Sequence, residues 1–119
     1  YNELPLMGRA CLPSDALALK PVWINPFENP VAAQFLHRWL AIATAGLILF
    51  AWWRAPRPGG GMSRGLPLDL LAAMAVAQAA LGVATLLSLV WLPLAVLHQA
   101  GAVLLLTFTL WAIYEARAA

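Results

Sequence analysis

The two histidines of this chain, His37 and His98, each sit inside a long apolar run. Ionisable groups within a membrane-crossing stretch are costly, so each is a functional candidate by default. His37 comes six residues after Val31, where its run begins, and His98 four residues after Leu94, where its own begins. At about 1.5 Å of rise per helical residue, these offsets are about 9 and 6 Å. If both runs enter a membrane from one side, the two imidazoles lie at similar depth, one to two turns below the surface. Two imidazoles from two helices can occupy the two axial positions of a heme iron. A planar, mostly apolar porphyrin suits the interior of a helix bundle. Arg38 directly follows His37 and would neutralise a propionate at the water side. Zinc is the poorer match, because it takes four ligands and no further His or Cys lies at that level. One membrane histidine alone is more often a hydrogen-bonded core residue or a proton-relay member. Two at matched depth shift the balance toward a shared ligand. Gln34, Gln78 and Gln99 read as interhelical hydrogen-bonding groups rather than catalytic ones.

The elements that must carry these residues are legible from hydropathy. Val31 to Trp53 is the first apolar run, with Asn29 as its cap and Pro30 in its first turn. Leu66 to Val90 is the second, with Asp69 in the first turn, where a helix N-terminus favours an acid. Leu94 to Tyr114 is the third, separated from the second by a tight Trp91-Leu92-Pro93 turn. Each is long enough to cross a hydrocarbon core of about 30 Å. Ala72, Ala75, Ala79 and Gly82 form a small-residue stripe suited to close helix packing in lipid. Residues 1–30 contain Pro5, Pro13, Pro21, Pro26 and Pro30 and read as a loop segment with Trp23 and Phe27 at interfacial positions. The expected fold class is therefore an all-α membrane protein with three transmembrane helices.

Composition agrees. Of 119 residues, 63% are hydrophobic and only 10% charged. Soluble domains carry about 25% charged residues, so this chain has too few to cover a water-facing surface. The net charge is +2, with the seven Lys and Arg dispersed outside the runs or at their ends, which is no nucleic-acid signal. Cys11 is the single cysteine and cannot form an internal disulfide. The loop between the first two runs holds Arg54, Arg57 and Arg64, and the tail holds Arg117. The positive-inside rule then puts the 54–65 loop and the C-terminus on the cytoplasmic or matrix side, with the N-terminal segment outward. The chain starts at Tyr1 and shows no signal-peptide pattern, so the expectation is a piece of a longer protein.

Three segments resemble the heme A synthase family. ENPVAAQFLHRWLA, Glu28 to Ala41, resembles its Asn-containing loop leading into Gln-Phe-x-His-Arg. Ala80 to Thr107 resembles its signature running from Leu-Gly-x-x-Thr through Pro-Leu to His-Gln. YNELPLMGRACLP at the front resembles its outward loop, although Gly8 follows Met7 directly where the family commonly has an intervening acid. The resemblance implies a membrane oxidase that converts heme O to heme A by oxidising a ring methyl to a formyl group, for cytochrome oxidase. It implies eight transmembrane helices in two related four-helix halves, each with a histidine pair. His37 and His98 match the C-terminal pair, which binds heme b in the family. The chain would then be the last three helices of that bundle, in a bacterial plasma membrane or the mitochondrial inner membrane. Its partners would be the missing helices of the same protein, the substrate heme O, and heme O synthase. No residue here matches the family's catalytic carboxylate; Glu28 belongs to a different loop. Cys11 carries over no disulfide.

Two other functions stand beside this one. A b-type cytochrome subunit for electron transfer would share both histidines and need no substrate pocket. A membrane assembly protein would need no cofactor.

Overall fold

The computed structural model of the chain describes Met7, residues 10–56 and residues 65–118. Most of the front motif, and Arg57 and Arg64 of the basic loop, lie outside the described residues. The described chain is helical apart from short turns and one isolated bridge between Met7 and Ala10. It divides into two compact units, Tyr1–Ala43 and Thr44–Ala119.

In the first unit the prolines break the chain into short turns. Two 3-10 turns span Ser14–Leu17 and Val22–Ile24, and helix α1 spans Asn25–Glu28. Asn25 is fully buried and holds them together. Its Oδ1 accepts from the Leu19 amide at 3.0 Å, and its Nδ2 donates to Leu19 O and Val22 O at 3.0 and 2.8 Å. Asn29, one turn further on, donates to Asp15 O at 2.6 Å and to Asn25 Oδ1 at 3.0 Å. Asn29 also caps helix α2, Pro30–Arg54, by accepting the Val31 amide at 3.0 Å. This satisfies one of the N–H groups that every helix start leaves open. What reads as loop in the sequence is thus a side-chain-pinned segment.

Helix α2 passes from the first unit into the second. The second unit also contains helices α3, Leu66–Leu87, and α4, Leu92–Ala118, which pack chiefly against each other. Helices α2, α3 and α4 have 25, 22 and 27 residues, and each is long and apolar enough to cross a membrane. Leu47, Phe50, Leu87, Val103, Leu106 and many other large apolar side chains are exposed along them. An exposed apolar surface of that extent suits contact with lipid or with further helices.

The buried face of α3 runs through Pro67, Leu71, Ala72, Ala75 and Gln78. Ala79, expected on that face, is exposed instead. A stripe chosen by residue size alone misses the face by one position here, because the face also carries Leu71 and the amide of Gln78. The second helix ends at Leu87, three residues before Val90. Leu89 and Val90 have φ of 56° and 62°, which no α-helix tolerates. The Val90 amide bonds back to Thr85 O at 2.9 Å, closing the helix end. Near the other end of α3, Trp52 Nε1 donates to Asp69 Oδ1 at 2.7 Å, tying the end of α2 to the first turn of α3.

Candidate cofactor site

His98 lies on the second turn of α4 and is half-buried. Its ring rests on α3 at Gly82. A Cβ at Gly82 would stand 3.1 Å from His98 Cε1, 3.6 Å from Nε2 and 3.7 Å from Nδ1. The imidazole therefore fills the space that any side chain at position 82 would take. His98 Nδ1 is enclosed within the protein.

The main chain of His98 is held from the same helix. Gln78, one turn before Gly82 on α3, donates from Nε2 to His98 O at 2.9 Å. The fit is reciprocal. A methyl on Gly101 would overlap Gln78 Oε1 and stand 2.9 Å from Met74 Cε. Each helix thus offers one glycine and one polar side chain to the other. Gln78 is 8% exposed, so its amide is a buried polar group between two apolar helices. Gln99 is exposed on α4.

His37 belongs to the first unit. It is exposed on α2, and Arg38 beside it is buried at 8% exposure. Successive helical residues point about 100° apart, so the two side chains leave α2 in different directions. Phe35 and Trp39 flank this stretch with an edge-on ring contact, centroids 6.4 Å apart.

Two properties of these residues bear on a heme. Both donors are imidazoles, the axial ligand type for a low-spin iron. His37 is exposed and His98 half-buried, so neither residue is fully enclosed by the described chain. Among the described residues, no group of three or more His, Cys, Asp or Glu could hold a bare metal ion.

The sequence singles out both histidines and reads Gln78 as an interhelical hydrogen-bonding group, and Gln78 does bond from α3 to His98 O on α4. It does not single out Gly82 as the seat of the His98 ring, Gly101 as the notch for Gln78, or Asn25 as the hub of the first unit. The available signals were the Gln78-x-x-x-Gly82 spacing on α3, the His98-x-x-Gly101 spacing on α4, and the repeated Asn-Pro pair at residues 25–26 and 29–30.

Apolar spanning helices and a histidine seated at their contact define an all-α multi-pass membrane protein. Residues 1–110 match the model of the COX15-CtaA family, described as cytochrome oxidase assembly protein, and the chain belongs to that family. It is 48% identical over 118 residues to the heme A synthase of Rhodospirillum centenum, a match covering 98% of this chain and 31% of the relative. It is 44% identical over 108 residues to the heme A synthase of Rhizobium etli, covering 91% and 29%. It is 39% identical over 125 residues to heme A synthase COX15 of Mus musculus, covering 98% and 28%. The chain thus spans about three tenths of the length of these curated relatives. No solved structure matches it.

Proposed function

We propose that this chain forms the heme b-holding part of a heme A synthase, the enzyme that oxidises the methyl group of heme O to the formyl group of heme A. The observation that carries the reading is His98, its backbone tied by Gln78 and its ring laid on Gly82, within a family whose matched relatives are named heme A synthase. His37 and His98 would be the axial ligands. A bound heme b would supply a one-electron relay, its potential tuned by the two imidazoles and the apolar surround. The chain's own part is to fix the imidazoles, to keep water away from them with apolar helices, and to balance the propionate charge.

Arg38 is the proposed propionate partner. It directly follows His37 on α2, and a guanidinium is the side chain best suited to a carboxylate. The proposed topology places residues 1–30 on the outer side, and the 54–65 loop and the C-terminus on the cytoplasmic or matrix side, following the arginines. On this reading three helices complete a bundle with further helices of the same protein. The substrate heme O, its methyl oxidation and the catalytic carboxylate belong to that remainder, with heme O synthase as the donor of substrate.

The test is made on the full-length protein. Purified protein should show a low-spin b-type reduced-minus-oxidised spectrum, and His37→Ala or His98→Ala should abolish it. An unchanged spectrum in either variant refutes that ligand. Heme in the protein with no heme A in cells that express it, and no loss of heme A on gene deletion, would leave an electron carrier instead. Arg38→Met should lower heme retention; full retention sinks the propionate role.

A further inference from the structure

Gly82 and Gly46 are both glycines inside spanning helices, yet their surroundings differ. A Cβ built at Gly46 meets nothing within 4 Å. One built at Gly82 meets three atoms of the His98 ring and is only 3.1 Å from Cε1. Ordinary van der Waals contact for such a carbon begins at about 3.4 Å, and interiors close-packed like this yield little. We propose that Gly82 is a positioning residue for His98: its missing side chain makes room for the imidazole against α3, and that close contact sets the orientation of the ring offered to the heme. The proposal rests on the reading of His98 as a heme ligand.

Three features support it. An imidazole on a helix has few staggered χ1 wells but a broad χ2, so backbone tethering alone leaves its plane undetermined. The Gln78 bond to His98 O fixes where the ring starts, and Gly82 is what the ring then lies against. The contact is made by the Cε1 edge, between the two nitrogens, so rotation of the ring about χ2 drives one nitrogen toward α3. Groups that contact a metal's ligand from outside fix its orientation and tune the metal. The orientation of axial imidazoles is read directly in the low-spin signal of a heme iron.

A methyl at position 82 must therefore turn the ring or part the helices. In the full-length heme-loaded protein, Gly82→Ala should move the low-spin electron paramagnetic resonance signal and the heme b midpoint potential, and lower heme retention several-fold. Gly46→Ala should superimpose on the parent in all three. A Gly82→Ala protein with parent signal, potential and heme content overturns the proposal. If Gly82→Ala does not accumulate, the cycle with His98→Ala decides on heme-free protein. Removing the ring opens the space, so Gly82→Ala should cost little thermal stability in the His98→Ala background. A Gly82→Ala/His98→Ala protein that also fails to accumulate, where His98→Ala alone does, overturns the proposal. The two readings fail separately. If His98→Ala keeps the low-spin spectrum, the ligand assignment falls. If His98→Ala loses it while Gly82→Ala leaves it unmoved, the positioning role alone falls.

Discussion

Gln78 donates a hydrogen bond from its side-chain amide to the main-chain oxygen of His98, 2.9 Å away and twenty residues on in sequence. The same side chain leaves Oε1 buried, with no hydrogen bond among the described residues. The two ends of this amide act in opposite senses. An interhelical hydrogen bond in a membrane protein averages about 0.6 kcal/mol. A buried acceptor without a donor costs about 1–3 kcal/mol. Gln78 is therefore a poor device for holding α3 to α4, and a sound one for fixing His98.

The first prediction follows from that balance. Gln78→Met keeps the length of the side chain and removes both polar ends. It should change unfolding stability by less than about 1 kcal/mol, since loss of the bond and loss of the buried acceptor offset each other. Reversible unfolding of the full-length protein in mixed detergent measures this. A loss above about 2 kcal/mol would mean that the bond exceeds the usual range in membranes.

Gly101 gives the second prediction. A methyl there overlaps Gln78 Oε1 and crowds Met74 Cε, so at least one of these two side chains must shift within the packed α3–α4 contact. Gly101→Ala should cost about 1–3 kcal/mol, the usual range for overpacking. Gly46→Ala meets open space and should be neutral or stabilising by up to about 1 kcal/mol, because Ala is the better helix former. The contrast between the two glycines in one unfolding assay is the readout; equal effects would contradict it.

The third concerns Asn25. With no exposed surface, it makes three hydrogen bonds to the main chain and accepts a fourth from Asn29. Asn25→Ala strands the Leu19 amide and two carbonyls. Each stranded group costs about 1–3 kcal/mol, though water reaching a loop relieves part of that. A local loss of about 2–4 kcal/mol should appear as hydrogen exchange at the Leu19 amide faster by at least about 30-fold, at about 1.4 kcal/mol per tenfold. Unchanged protection at Leu19 would mean that other contacts hold the segment.

Much of this architecture could be read from sequence, and the rest fails for identifiable reasons. Long apolar runs announce α2, α3 and α4 because lipid demands them, and a histidine within such a run announces itself. The end of α3 is hidden because Leu89, Val90 and Trp91 are as apolar as the helix before them. Hydropathy cannot register a turn made by backbone angles and by Thr85 and Ser88. Asn25 looks like a solvated loop residue, since its partners are set by a chain path that no local pattern encodes. Gly82 reads as one more small residue on α3. Its meaning depends on what α4 places opposite, which is information between helices rather than within either.

The turn itself yields the last prediction. Leu89 and Val90 both adopt the left-handed region, which costs a side-chain-bearing residue about 1–2 kcal/mol and suits a β-branched one least. Side chains offset this. Ser88 Oγ donates to Thr85 O at 3.0 Å and accepts the Trp91 amide at 3.3 Å, while Thr85 Oγ1 donates to Leu81 O at 2.8 Å. Val90→Gly removes the steric cost and keeps the Val90 amide bond to Thr85 O, but frees more backbone entropy in the unfolded chain, about 0.5–1 kcal/mol. The net gain should be about 0.5–1 kcal/mol, a rise of a few degrees in Tm. Ser88→Ala should act oppositely by about 1 kcal/mol, because it takes a partner from the Trp91 amide. Thermal unfolding of the two variants beside the parent measures both signs. A destabilised Val90→Gly would show that the valine side chain contributes more to this turn than its backbone angle costs.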